Sequence, residues 1–321
     1  MIVALAGGVG GARLAVGLAA ILPPERLTFV VNTGDDFEHL GLAISPDLDT
    51  VMYTLAGLAN PETGWGRADE TWSFMETLGA LGGETWFRLG DRDLAVHVLR
   101  TAALAQGASL AHVTRALAER LGVRHAILPM SDEPVRTFVR TDAGELAFQD
   151  YFVRRKCAPV VAAFRYEGAE SARPPGALRA LMEGGEVKAV IVCPSNPHIS
   201  IAPILAVREI RAWLENRRFP VVAVSPIIGG DAVKGPAAKM MRELGLDVSA
   251  AGVARHYSGG VDGWVIDRRD AALAPEVEAL GAHVVVTETL MTERLRSVAL
   301  ARVTVDLASY LADRSGRRAR A

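Results

Sequence analysis

Residues 1–22 read MIVALAGGVGGARLAVGLAAIL, and residues 27–50 read LTFVVNTGDDFEHLGLAISPDLDT. The apolar run Ile2–Ala6 has strand length and ends in Gly7, Gly8, Gly10 and Gly11. A helical apolar pattern of Leu14, Leu18, Ile21 and Leu22 follows at once. Strand, glycine turn and helix N-terminus together suit anions. Glycines let backbone approach phosphate oxygens, and the free N–H groups of the first helical turn point at them. Gly8, Gly10 and Gly11 are therefore the candidate phosphate contacts. A second strand, Leu27–Val31, runs into a polar loop holding Asp35, Asp36, Asp47 and Asp49. A phosphate cradle beside carboxylates predicts phosphate bound through a divalent metal. The glycine turn alone is not specific. Arg13 stands where a dinucleotide fingerprint has its third glycine, and no P-loop lysine with serine or threonine follows.

The composition is that of a soluble globular chain, 50% hydrophobic and 22% charged over 321 residues. A formal net charge of −2 gives no reason to expect nucleic acid or a membrane surface as partner. The two cysteines, Cys157 and Cys193, make no metal-ligand spacing and no disulfide framework. The apolar N-terminus has no basic leader region, and no apolar run reaches the ~20 residues that span a bilayer. The expected location is the cytoplasm.

Along the chain, helices are expected at 48–58, at 69–79 with Asp69 as N-cap, from Gly90 with Leu94, Val98 and Leu99 as its apolar face, and at 109–121. No convincing strand lies between 60 and 121, so about 60–122 reads as a helical insertion. Strands are then expected at 125–128, 135–140, 145–148 and 160–165, then at Ala189–Val192, Val221–Val224, 265–266 and 284–286. Helices are expected at 204–216, 236–244 and 292–311, with 314–321 as a solvated tail. Strands alternating with helices predict one Rossmann-like α/β domain over 1–321, doubly wound around a mostly parallel sheet. Such sheets bind ligands beyond the carboxyl ends of their strands. The polar segments AGGVGG, NTGDD, MSD, CPSNP and SPIIGG all fall there, which predicts one shared cleft.

Asp35 and Asp36 follow a strand directly, where an acid can hold ribose hydroxyls or cap a turn. Asp47 and Asp49 lie two apart. On extended backbone they would face the same way and repel unless a cation intervenes, and as helix caps they would need none. Asp35, Asp36 and Asp47 are the candidate catalytic and metal-binding carboxylates. Arg92, between two acids at a helix start, suits a surface ion pair or a phosphate or flat heteroaromatic ligand. Ser195 and Asn196 sit on a stiff turn between Pro194 and Pro197 that can present polar groups to a ligand. His39, His97 and His198 have no metal-ligand spacing and read as structural or rim residues.

Longer motifs carry a resemblance. AGGVGGAR (6–13), VVNTGDD (30–36), ISPDLDTVMYTLAG (44–57), GWGRADETW (64–72) and LGDRDLA (89–95) come in this order. LPMSDEPV (128–135), FQDYFV (148–153), PSNPHISIAPIL (194–205) and SPIIGGDAVKGPA (225–237) follow. Together they resemble the 2-phospho-L-lactate transferase family, the CofD-type enzymes of coenzyme F-420 biosynthesis. The resemblance implies a Rossmann-like core with a helical insertion, and Mg²⁺ as cofactor. It implies attack by the ribityl hydroxyl of the deazaflavin Fo on the β-phosphorus of a guanosine-diphosphate-linked phospho acid, with GMP leaving. It places Asp49 and Arg92 on Fo, and the glycine loop with Ser195 and Asn196 on the guanosine diphosphate. GGVGGAR and GWGRADETW look more like bacterial members, which are associated with phosphoenolpyruvyl donors. The rival readings are a sugar-nucleotide-binding regulator of the gluconeogenesis-factor type and a nicotinamide-dependent oxidoreductase. Expected partners are small molecules, with no nucleic acid or membrane, and the chain is expected to be a homo-oligomer, a dimer.

Overall fold

The computed structural model describes residues 1–257 and 259–318. Strand β1 (Ile2–Ala6), helix α1 (Gly8–Ile21) and strand β2 (Leu27–Val31) open the chain, both strands with the bounds of their apolar runs. A small antiparallel hairpin, β3 (Phe37–His39) and β4 (Leu42–Ile44), then leads into α2 (Pro46–Leu55). Helices α3 (Ser73–Ala80), α4 (Asp91–Ala105) and α5 (Leu110–Arg120) follow before β5 (Ala126–Pro129). Strands β6 (Arg136–Thr141), β7 (Gly144–Ala147) and β8 (Val161–Glu167) make a separate antiparallel sheet of order β7-β6-β8. Next come α6 (Gly176–Glu183), β9 (Ala189–Val192), α7 (Ala202–Ala206), α8 (Arg208–Glu215) and β10 (Val221–Val224). The two-residue strands β11 (Ile227–Ile228) and β12 (Asp231–Ala232) precede α9 (Ala237–Glu243) and α10 (Ala250–His256). The chain closes with β13 (Gly263–Asp267), α11 (Ala274–Glu278), β14 (His283–Thr287) and α12 (Arg294–Arg318).

Seven strands form the central sheet in the order β14-β13-β10-β9-β1-β2-β5, every pair parallel. This is a Rossmann-like α/β architecture. Its inner strands are almost wholly apolar because helices cover both faces. Along β1, Val3 and Leu5 face a core with Ile204, Ile210 and Trp264, while Ala4 and Ala6 face another with Leu14, Leu18 and Phe29. The chain starts in the middle of its own sheet. Strand order reverses between β1 and β9, and the turns after these two strands therefore frame the ligand crevice of an open α/β sheet.

Helix α1 lies tightly on α12. A Cβ on Gly17 would come 2.1 Å from the Ser297 carbonyl oxygen, a backbone atom that cannot swing aside. On helix propensity alone Gly17→Ala would stabilise by about 1 kcal/mol. The forced separation of the helices reverses the sign, and a net loss of about 1–3 kcal/mol is expected. A urea midpoint equal to or above that of the parent chain would show that α12 yields.

Several local expectations are corrected. Asp47 and Asp49 are not on extended backbone but in the first turn of α2, which Pro46 starts two residues before the expected 48. Asp69 does not cap α3. Its φ is +54°, the helix begins at Ser73, and the carboxylate of Asp91 accepts from the N–H groups of Ser73 and Phe74 at 3.1 and 3.0 Å. Helix α4 buries Val96, His97 and Arg100, and it turns Val98 and Leu99 to solvent. The helix expected at 204–216 starts earlier, in a π-helical turn at Pro197–Ile201, and breaks at Val207 into α7 and α8. Residues 314–318, expected as tail, continue α12, and 319–321 lie outside the described residues. No helix among the described residues is long and apolar enough to cross a membrane.

Candidate functional site

Beyond the carboxyl end of β2 the side chain of Asn32 is a hub. Its Nδ2 faces Asp35 Oδ1 at 3.0 Å, Asp47 Oδ2 at 2.9 Å and the Ile199 carbonyl at 3.1 Å. An amide has two protons to give, so three acceptors are more than it can satisfy fully. Asp36 accepts from Ser45 Oγ at 2.7 Å through Oδ2, while its Oδ1 is buried with no partner. All three carboxylates are at least nine-tenths buried. Burial, then the charges of Asp47 and Asp36, hold Asp35 well above the usual carboxylate range. Burial pushes Asp36 up to about 7 against the pull of Ser45 and Arg136. It pushes Asp47 up to about 6 against hydrogen bonds from Asn32, Gly8 and Ser200. The centre carries more negative charge than its own residues balance.

The glycine turn touches this centre directly. Gly8 has φ +63°, a left-handed conformation that favours glycine, and its N–H donates to Asp47 Oδ1 at 2.7 Å. One phosphate-binding candidate thus already serves a carboxylate. Gly10 and Gly11 serve chain packing. A Cβ on Gly10 would lie 2.2 Å from the Pro194 carbonyl oxygen, and one on Gly11 would lie 2.5 Å from Ser195 Oγ. The Ser195 hydroxyl accepts from Gly7 N at 3.1 Å and donates to the Gly7 carbonyl at 2.8 Å. Asn196 caps the turn after it, its Oδ1 accepting from His198 N at 2.9 Å. The two turns that frame the crevice are thus stitched together, and no hydrogen-bond acceptor among the described residues meets the N–H groups of Val9 and Gly10.

Asp49 belongs to a second cluster, on the other side of the first turn of α2 from Asp47. Both its oxygens are taken by the guanidinium of Arg100, through NH1 at 3.0 Å and through NH2. Arg100 is 1% exposed, and His97 lies between Asp49 (3.7 Å) and Asp93 (3.3 Å). Tyr53 donates to Asp93 at 2.5 Å. Burial raises Asp49 while Arg100 and His97 pull it back. Arg92, on the same helix, is exposed, and its side chain has no hydrogen-bond or ion-pair partner among the described residues. Sequence reasoning missed Asn32 and Arg100; it took His97 as structural or rim, and the buried position agrees with the first. The spacing 93, 97, 100 puts three polar groups on one helical face, which is the available signal.

Two carboxylate groups could hold a cation. Asp49, Asp93 and His97 bring ligand atoms within 4.8 Å of one another, the one such trio among the described residues. The Arg100 guanidinium already occupies both oxygens of Asp49, so a metal cation fits poorly there. Asp35, Asp36 and Asp47 do not converge as such a trio, but they have the unbalanced charge and the orphan oxygen Asp36 Oδ1. Mg²⁺ takes one or two carboxylates and completes its shell with water or phosphate, so this looser set suits it.

Residues 2–307 match the family described as 2-phospho-L-lactate transferase CofD. The chain belongs to the CofD family. A phosphoenolpyruvate transferase of Streptomyces griseus is 45% identical over 314 residues, covering 96% of this chain and 98% of the relative. A 2-phospho-L-lactate transferase of Methanosarcina mazei is 40% identical over 300 residues, covering 93% and 97%. A solved UPF0052-family protein from Bacillus halodurans shares the fold at 15% identity, with a TM-score of 0.60 and coverage of 95% and 98%. CofD membership makes this chain a transferase enzyme, not an oxidoreductase, and it is the family to which the motifs pointed.

Proposed function

We propose that the chain moves a phospho-carboxylic-acid group, as 2-phospho-L-lactate or phosphoenolpyruvate, from a guanosine-diphosphate-linked donor to the ribityl hydroxyl of Fo, with GMP released. The observation that carries this reading is the under-balanced acidic centre of Asp35, Asp36 and Asp47, bonded to the glycine turn where the strand order reverses. Phosphoryl transfer needs positioning and charge neutralisation more than a covalent nucleophile, and this centre offers both. Asp35, Asp36 and Asp47 would hold Mg²⁺, which when bound supplies positive charge to the phosphate oxygens. The N–H groups of Val9 and Gly10 face the donor's phosphates. The turn at 194–196 holds the glycine loop in shape for them. On the acceptor side Arg92 offers a free guanidinium to the deazaflavin's polar edge. Asp49, with lone pairs beyond those given to Arg100, can accept from a ribityl hydroxyl. The phosphoenolpyruvyl donor is favoured, since the bacterial relative named for it is the nearer of the two described.

Incubation of the purified protein with Fo, either donor and Mg²⁺ should yield the coupled product by mass together with GMP. Neither appearing with either donor would remove the proposal. Arg92→Ala should weaken Fo binding by about tenfold, the loss of one charged hydrogen bond, and leave guanosine diphosphate binding nearly unchanged. Fluorescence titration of Fo checks the first part and calorimetry the second. An unchanged Fo affinity would place the acceptor elsewhere.

A further inference from the structure

The glycine turn has no lysine of its own, and the fold brings one to it from far along the chain. Lys234 lies in the loop between β12 and α9, within the segment SPIIGGDAVKGPA. Its Nζ donates to the carbonyl oxygens of Glu62 and Thr63 at 3.0 and 2.8 Å. These two belong to a strap over residues 59–67, whose ends are bridged from Ala59 to Arg67. Inside it the Asn60 N–H donates to the Gly66 carbonyl, and the Gly64 N–H to that of Asn60. Gly64 seats the strap on the glycine turn. A Cβ there would stand 2.6 Å from Val9 Cγ1 and 3.5 Å from Lys234 Nζ. The ammonium is thus beside the residue that offers a free N–H to the crevice.

A diphosphate entering here meets Asp35, Asp36 and Asp47, and the Gly8 N–H that could have served it is spent on Asp47. Arg13, the one basic residue of α1, gives NH1 to the Met291 carbonyl at 2.9 Å. Lys234 is exposed, has no carboxylate partner among the described residues, and commits two of its three protons to neutral carbonyls. Given a guanosine-diphosphate-linked donor, the reading on which this rests, we propose that the Lys234 ammonium binds the phosphate oxygens of the donor's diphosphate. It does for this turn what the lysine of a P-loop does from within its own motif. A compact ammonium on a flexible four-carbon stem suits a phosphate, which needs a point charge more than a planar fork. With both partners charged, its bond to a phosphate oxygen outweighs its bonds to neutral carbonyls. The third proton can meet the ligand without either carbonyl being given up.

Calorimetry of the full chain with guanosine diphosphate, GMP and guanosine separates a phosphate contact from a brace. Lys234→Met keeps the stem and removes the charge. It should weaken guanosine diphosphate by about tenfold or more, GMP by less and guanosine not at all. The salt dependence of guanosine diphosphate binding should become shallower in the same variant. Lys234→Arg should recover most of the affinity. An equal loss for all three ligands would mean that the lysine only holds the strap, and an unchanged guanosine diphosphate affinity would put the counter-charge elsewhere. Either result overturns the proposal. Failure of the donor reading looks different: the parent chain itself would bind guanosine diphosphate no better than guanosine, and both would fall together.

Discussion

Arg100→Ala is expected to cost about 3–5 kcal/mol of folding stability, the usual result of stranding one member of a buried ion pair. Asp49 is 4% exposed and has both oxygens on Arg100, so the variant leaves a carboxylate in the interior without its guanidinium partner. That carboxylate can escape its penalty only by taking a proton. Its folded pKa is already above the unfolded value and rises further in the variant. A carboxyl raised in this way stabilises the fold when protonated and loses that contribution as pH rises through the folded pKa. The deficit of Arg100→Ala against the parent should therefore be larger at pH 8 than at pH 5. The double variant Asp49→Leu/Arg100→Met should recover most of the loss, because an apolar pair of similar volume removes the stranded charge. Urea unfolding of the four proteins gives the cycle. A single-variant loss under about 1 kcal/mol would mean that the pair is not buried in solution.

The second large effect is a coupling between pH and metal. Asp36 and Asp47 have folded pKa values raised to about 7 and about 6, and Asp35 is also raised. Their neutral forms favour the fold below the unfolded carboxylate value, and this contribution fades as pH climbs through 6 and 7. In EDTA, stability should thus fall between about pH 5 and pH 8, by on the order of 2–4 kcal/mol. Asp93, held low by His97 and Tyr53 against the push of burial, matters only on the acid side of that window. Mg²⁺ held by these carboxylates, as proposed, would compete with protons for the same oxygens, so it should restore stability at pH 8 and do little at pH 5. Saturation at about a hundredfold over the dissociation constant is worth about 2.7 kcal/mol. Scanning fluorimetry across pH with and without Mg²⁺ reads both parts. An identical Mg²⁺ shift in Asp36→Asn/Asp47→Asn would put the ion somewhere else.

What could be read from the sequence was whatever local pattern decides. Ile2–Ala6, Leu27–Val31, Ala189–Val192 and Val221–Val224 are apolar runs bounded by glycine or polar turns, and all four are strands with those bounds. The hairpin Phe37–Ile44 escaped because three-residue strands leave too short an alternation to see. Helix α4 misled because periodicity reports that two faces differ, not which one is inside. Arg100 lies inward only because Asp49, 51 residues away in sequence, meets it there. Gly10 and Gly11 were read toward a ligand; that Pro194 and Ser195, far along the chain, fill the space where their side chains would stand could not be seen in the sequence.

The place of β1 in the sheet has a consequence for how the protein is made. Its neighbour β9 begins at Ala189, and the Gly7 turn is stitched to Ser195, 188 residues away. A ribosome adding about 5–20 residues per second needs about 10–40 s to go from one to the other. Through that interval a wholly apolar strand has β2 on one edge and nothing on the other. The crevice cannot exist on the nascent chain until well over half of it has been synthesised. Strand β1 is held waiting for its partner, and a chaperone with affinity for extended apolar segments would find a long opportunity there.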